Sequence, residues 1–332
     1  MRNSKLKHNL VEFGISRALR FLNKNPRVIF YHGVDFAENN HSLHINPDIF
    51  EQEIAFLSKH YEVISIHEYE NRFRNNQFNG KEIVVTFDDG YKNNLTIAAP
   101  ILKSLNIPFT VFISTNHIEN GNYFPTTIAR MIIRNNNLSF VKIDCLKLKA
   151  ELKNNMQREA ICDAVIHILK HSNIRLVNEI CHQLIENISH DEYEELCHFH
   201  KIEAPMNWED VIKLHTEYNC TIGSHCKDHF ICNIYQTEEE TKTQLKGSKQ
   251  IIEEKLHASC DYLAYPNGIY NKGDVTAYAQ HTAKEAGYKL AFTTVTDRLS
   301  AKSNPMLMPR CAARFEMDDF IMKLVLKPKI QF

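Results

Sequence analysis

The sequence predicts an α/β fold, a parallel (β/α) barrel carrying one helical insertion. Three observations lead there. Short apolar runs of strand length recur along the chain, amphipathic segments of helical period alternate with them, and the alternation breaks between about residues 121 and 203. Alternation of this kind implies βαβ units and a parallel sheet. Seven or eight strands favour closing that sheet into a barrel.

The strands are read from buried-type runs: Val28–Tyr31, Val63–Ile66, Ile83–Phe87, Phe109–Ser114, Thr221–Ser224, Tyr262–Tyr265, Leu290–Thr293 and Met306–Met308. Between them, Asn46-Pro47 opens a helix through His60 with Phe50, Ile54 and Leu57 on one face. Further helices are expected over about 94–105, from an Asn207 cap to Tyr218, over 237–256, and over 274–286 before Gly287. The stretch 121–203 is helix-rich, with amphipathic segments near 157–171 and 175–188, and reads as an insertion on a barrel loop. Residues 1–25 place Leu6, Leu10, Phe13, Ala18 and Phe21 near one helical face, as expected of a helix covering the bottom of the fold or resting on a membrane surface. One catalytic domain over 1–332 is the expected organisation.

Composition narrows the function classes. With 43% hydrophobic and 24% charged residues and a net charge of -1, the chain has the make-up of an ordinary globule and no bulk attraction to nucleic acid. Nine cysteines at scattered spacing, with no C-x-x-C pair, argue against a disulfide framework and for a reducing compartment. No run of eighteen apolar residues and no secretory signal is seen, so a cytoplasmic location with peripheral membrane contact is the expectation.

Three clusters carry chemistry. Thr86-Phe87-Asp88-Asp89-Gly90-Tyr91 follows an apolar strand, where barrel active sites are built. Asp-Asp-Gly is also turn chemistry, but two carboxylates converging on one pocket repel each other unless a cation lies between them. One can then ligate a metal while the other acts as a base. Ser224-His225-Cys226-Lys227-Asp228-His229 follows another strand, and its i, i+4 histidines can face one way as metal ligands must. With eighteen histidines in the chain, such a pair also arises by chance. A carboxylate and two imidazoles suit zinc or a similar divalent ion, with room left for water and substrate. In the third cluster, Tyr31-His32-Gly33-Val34, His32 ends a strand and is a candidate general acid.

Weaker candidates surround these. The turn Tyr265-Pro266-Asn267-Gly268 can aim backbone N–H groups at an oxyanion. Trp208, the single tryptophan, can stack on a sugar ring or simply pack. Arg310 can orient a carboxylate. Cys197-His198-Phe199-His200 looks metal-like but has no evident partner, and Cys226 reads as passive.

Together these residues resemble the polysaccharide deacetylases, the family 4 carbohydrate esterases. The T-F-D-D-G-Y block followed by H-x-x-x-H carries the resemblance over about Arg27–Arg310, apart from the insertion. The early Y-H-G-V block, then P-D-I-F-E-Q-E-I-A-F-L before the Asp pair, resembles the branch with permuted motifs, which includes bacterial poly-β-1,6-N-acetylglucosamine deacetylases. The resemblance implies a distorted (β/α) barrel of about seven strands. It implies Asp88 as general base, Asp89, His225 and His229 as ligands of a divalent metal (zinc, with nickel, cobalt or manganese as alternatives), and His32 as general acid. It also implies an oxyanion-facing turn at Tyr265-Pro266-Asn267. Two positions depart from the pattern: Ala264 stands where the groove motif usually has arginine, which Arg310 replaces by pairing with Asp88, and Cys226 stands where Ser or Thr is usual. The implied reaction removes N-acetyl groups from an amino sugar or glycan precursor. Deformylation of a lipid- or nucleotide-linked amino sugar and silent carbohydrate binding are the alternatives.

Overall fold

The computed structural model describes residues 25–36, 43–300, 302–313 and 316–325. The helix expected over residues 1–25 falls, apart from Asn25, outside them. The strands are β1 (Arg27–Tyr31), β2 (Gly33–Val34), β3 (His44–Ile45), β4 (Glu62–Val63), β5 (Glu82–Phe87), β6 (Phe109–Ile113), β7 (Phe140–Ile143), β8 (Leu148–Glu151), β9 (Cys220–Ser224), β10 (Tyr262–Ala264), β11 (Leu290–Phe292) and β12 (Cys311–Ala312).

The main sheet runs β11-β10-β9-β6-β5-β1-β12, with β4 beside the start of β5, and every pairing in it is parallel. β1, β5 and β6 are buried along their whole length, because helices cover one face and the barrel interior the other. The last segment closes the ring. Met308 bridges Phe292 of β11 and exchanges bonds with Ala291 and Thr293 (2.8 and 2.9 Å), while Cys311 and Ala312 pair with Ile29 and Phe30 of β1. The expected strand at Met306–Met308 is thus only a bridge at Met308. Pro309, which has no N–H to give a ladder, separates it from β12.

The helices are α1 (Pro47–His60), α2 (Ile66–Asn75), α3 (Ala99–Ser104, entered through a π-helical turn at Asn94–Ala98), α4 (Thr115–Asn120), α5 (Pro125–Ile133), α6 (Asn155–Lys170), α7 (Ile174–Ile185), α8 (His190–Phe199), α9 (Trp208–Glu217), α10 (Glu238–Leu256), α11 (Ala277–Glu285) and α12 (Met317–Val325). α1 starts where its sequence says. Asn46 Oδ1 accepts from Asp48 N–H, Pro47 fills the first turn, and Phe50, Ile54 and Leu57 are buried. The strand expected through Ile66 stops instead at Val63, because Ser65 caps α2 by accepting from Glu68 N–H. Pro100, with no N–H of its own, lies just past the point where the π turn gives way to α3.

The insertion holds a second core. Ile132, Val141, Ile143, Val165, Ile180 and Leu184 pack together, apart from the barrel core. It is not wholly helical: β7 and β8 form an antiparallel hairpin. Buried Arg158 fastens the approach to that hairpin by donating to the carbonyls of Ile133, Asn135 and Leu138 at 3.1, 2.6 and 2.7 Å. Among the described residues no helix is long and apolar enough to cross a membrane.

Candidate active site

The predicted residues gather at one end of the barrel, where β1, β5, β9 and β10 stop. His32 follows β1, Asp88 and Asp89 follow β5, and His225 begins the loop after β9. The turn after β5 is sharp. Asp89 and Gly90 have φ of 75° and 82°, and a Cβ on Gly90 would meet Ile113 Cγ2 at 2.9 Å. The loop after β9 is tight too, with Cys226 and His229 at φ 63° and 50°, so the two histidines converge through a loop and not through a helical turn. Positive φ at non-glycine residues is costly and persists where surrounding contacts impose it. Here Ser114 Oγ donates to His225 O, and His225 N–H to Ile113 O.

Asp88 and Arg310 form a buried bidentate pair. The guanidinium donates from Nη1 to Oδ1 and from Nη2 to Oδ2, both at 2.7 Å, and from Nε to Thr293 O at 3.0 Å. It also lies over the Phe30 ring, 4.5 Å from its centroid. Burial pushes the Asp88 carboxyl up, but Arg310, His225 and His32 outweigh it and hold Asp88 below the usual carboxylate range.

Asp89 faces the histidines. Its Oδ1 lies 3.4 Å from His225 Nε2 and 3.3 Å from His229 Nε2. This Oδ1 atom is buried, yet no hydrogen bond reaches it. His225 Nδ1 is 2.7 Å from Ala264 O, which fixes the ring so that Nε2 turns to Asp89. One ligand atom from each of the three residues lies within 4.8 Å of the others. Ligands about 2.0–2.1 Å from an ion in tetrahedral geometry are about 3.4 Å apart, so the two Asp89 separations are those of ligands around a small cation. An orphaned carboxylate oxygen between two imidazoles is the donor set such an ion needs. Burial works against the charge on Asp89, but His225, His229 and His32 outweigh it and hold the carboxyl well below the ordinary range.

His32 borders the same cavity. Its carbonyl accepts from Asn94 Nδ2 of the π turn at 2.8 Å. Burial lowers the pKa of its imidazole, opposed by Asp89 and Asp88. Gly33 follows because a Cβ there would collide with His44 and Asn93 Oδ1. Tyr91 closes the Asp-Asp-Gly-Tyr block. Its phenol is buried beside Asp89, and burial together with that carboxylate pushes its pKa well up, so it stays a neutral donor. Burial likewise raises the Cys226 thiol well above its ordinary value, which leaves no thiolate between the histidines.

The polysaccharide deacetylase profile matches residues 75–159 and 153–291. The chain belongs to the polysaccharide deacetylase family. It is accordingly a hydrolase, a carbohydrate de-N-acetylase, in a family that is metal-dependent and acts on N-acetylated sugars. Among solved structures, it is similar to the Streptococcus pyogenes deacetylase PplD in complex with acetate (16% identity, TM-score 0.59, covering 91% of this chain and 98% of that one). It is similar to IcaB from Ammonifex degensii (15%, 0.58, 91% and 97%) and to the BpsB deacetylase domain from Bordetella bronchiseptica (13%, 0.51, 87% and 96%). These likenesses establish the fold. No curated protein matches the chain.

Within this deacetylase the site opens into a cavity of about 300 Å³. The barrel supplies the polar floor, and the insertion supplies a wall that sequence reading left unassigned: Phe124, Pro125, Leu169, Lys170, Ile174 and Val177. Of the expected oxyanion turn, Asn267 lines the cavity. Tyr265 N–H is spent on Phe292 O (3.0 Å), Pro266 has none, and Gly268 N–H goes to Pro266 O (2.7 Å). The Asn267 side chain donates to Asp274 Oδ2 at 2.7 Å, which leaves its backbone N–H, at φ 59°, as the turn's available donor. Trp208 is not brought to the cavity. It begins α9, its indole N–H donates to Glu119 Oε2 at 2.5 Å, and Lys255 lies over its ring, so it packs between α4 and α10.

Proposed function

We propose that this deacetylase hydrolyses the acetamide of an amino sugar with Asp88 as base, His32 as acid, and Asp89, His225 and His229 as ligands of a divalent ion. The observation that carries the reading is the unbonded Asp89 oxygen between two imidazoles, next to a carboxylate clamped by arginine. The donor set is matched by zinc, and nickel, cobalt and manganese share it. When bound, the ion supplies Lewis acidity that polarises the amide carbonyl and acidifies water.

The chain's own groups do the rest. Arg310 keeps Asp88 ionised and fixes its plane, so a carboxylate lone pair is ready for the proton of the attacking water. As the water oxygen bonds to the acetyl carbon, the backbone N–H of Asn267 supports the negative oxygen. His32 hands a proton to the sugar nitrogen as the C–N bond breaks, giving acetate and a free amine. Its lowered pKa makes the protonated ring the stronger acid for that step. The apolar walls exclude bulk water and strengthen these interactions.

The test uses the full chain loaded with zinc: metal per chain is counted, and acetate release from N-acetylated sugars is followed. Unchanged turnover in both Asp88→Asn and His32→Ala would sink the base and acid assignment. Stoichiometric metal in Asp89→Ala and in His225→Ala would sink the ligand set.

A further inference from the structure

The cavity's charges are nearly all engaged within the protein. Asp88 is bound to Arg310, Asp89 faces the histidines, and Asp228 accepts from Asn116 and Gln244, each at 2.5 Å. The exception is Lys170, the last residue of α6 and the single lysine or arginine among the described residues that line the cavity. It is half-buried, shares the cavity lining with Leu169, Ile174 and Val177, and among the described residues its ammonium has no ion-pair or hydrogen-bond partner.

The groups that face it do not satisfy it. Asp274 is the acidic group that Lys170 feels, but it makes no ion pair with Lys170, and its Oδ2 already accepts from Asn267 Nδ2 and Ile269 N–H. Arg130 adds like charge nearby and is itself paired with Glu203. The adjoining start of α7 adds little, because Ile174 N–H is given to Gln236 and Leu176 N–H to the Asn173 cap. Burial together with Arg130 lowers the Lys170 pKa. A half-buried ammonium that makes no ion pair keeps its charge available to a ligand entering the cavity. A ligand that brings a negative charge would pair with it.

We infer that Lys170 is a specificity residue that selects an N-acetylated sugar carrying an anionic substituent, a phosphate ester or a carboxylate, next to the amide-bearing residue. The inference rests on the proposed function only for which cavity holds the sugar. The insertion would then read the substrate's charge while the barrel end cuts its amide.

The test reads binding as well as turnover, on the zinc-loaded full chain. The probes are N-acetylglucosamine, its 1-phosphate, and the disaccharide of N-acetylglucosamine with glucuronic acid. Calorimetry is expected to give at least about tenfold tighter binding for one or both anionic probes than for the neutral sugar. That preference should shrink with added salt, vanish in Lys170→Met and survive in Lys170→Arg. Which probe gains tells phosphate from carboxylate. In turnover, Lys170→Met should raise KM for the anionic probe and leave kcat, and the neutral sugar, unchanged. Equal wild-type affinities for all three probes overturn the inference, as does a preference that persists in Lys170→Met. Failure of acetate release with the charge preference intact would count against the proposed reaction and leave the role of Lys170 standing.

Discussion

The barrel end and the insertion line the same cavity by opposite means. The barrel end is built of charges at strand termini, each held by another group: Asp88 by Arg310, His225 by Ala264 O, Asp89 between two rings. The insertion stands on its own core and lines the cavity mostly with apolar residues and, among the described residues, with one lysine that makes no ion pair. Groups that must hold a fixed angle for chemistry sit on a rigid sheet, and groups that only have to fit a substrate sit on an element with a separate core.

If that division is right, changes at the barrel end should act on turnover. The largest effect is expected for Asp88→Asn and Asp89→Ala, with kcat falling about two to four orders of magnitude and KM little changed for Asp88→Asn. Asp89→Ala should also lose bound metal, read by elemental analysis. A large rise in KM with kcat preserved would blur the division. Next comes Arg310→Met, which strands a buried carboxylate and should cost about 3–5 kcal/mol of stability, seen in denaturant unfolding. Arg310→Lys should recover little, since an ammonium cannot make both bonds.

Changes to the insertion core should act on binding. Ile180→Ala removes a fully buried side chain and should cost about 2–5 kcal/mol, with hydrogen exchange speeding over 121–203 and not over the barrel strands. KM should rise while kcat holds. A collapse of kcat, or exchange spreading to β5 and β9, would mean that the two cores unfold as one.

The smallest effect lies at their junction. His44 accepts from Asn93 Nδ2 (2.7 Å), and Asn93 also donates to Ile202 O of the insertion (3.1 Å). Burial, with His32 and Arg130, lowers the His44 pKa to about 4, against Asp89. Because the folded value lies below the unfolded 6.5, stability is full above pH 6.5 and is lost as pH falls toward 4. By pH 5.5 the loss is about 1.4 kcal/mol. Melting curves between pH 7 and 5.5 should show it, and His44→Asn should lack it.

The barrel was legible in the sequence because parallel strands buried on both faces are written as unbroken apolar runs. Ile83–Phe87 and Phe109–Ser114 needed almost no adjustment. Ile64-Ser65-Ile66 misled, since the serine inside an apolar stretch is a helix cap. The hairpin in the insertion was hidden: burial alternates along Phe140-Val141-Lys142-Ile143, but the exposed Phe140 is apolar, so the residue types do not alternate. Four residues are short for a period to show against helical neighbours. At the site, the strand-end residues were findable by their position after apolar runs. The cavity wall was not, because Phe124, Lys170 and Val177 meet the site only through tertiary packing. Trp208 stayed open between stacking and packing for a related reason: an aromatic residue near a motif carries no record of which way its helix faces.

The clamp on Asp88 comes from 222 residues further along the chain, in the segment that laces the last strand to the first. The emerging polypeptide therefore has its Asp pair early and acquires the partner of Asp88 only when the ring is shut. Contacts so distant in sequence carry a loop-closure cost that must be met before they form. Until then Asp88 lacks the guanidinium, the largest of the charges that lower its proton affinity. Hydrolytic competence is in this sense a certificate of completed assembly, issued by the segment that leads into the final strand.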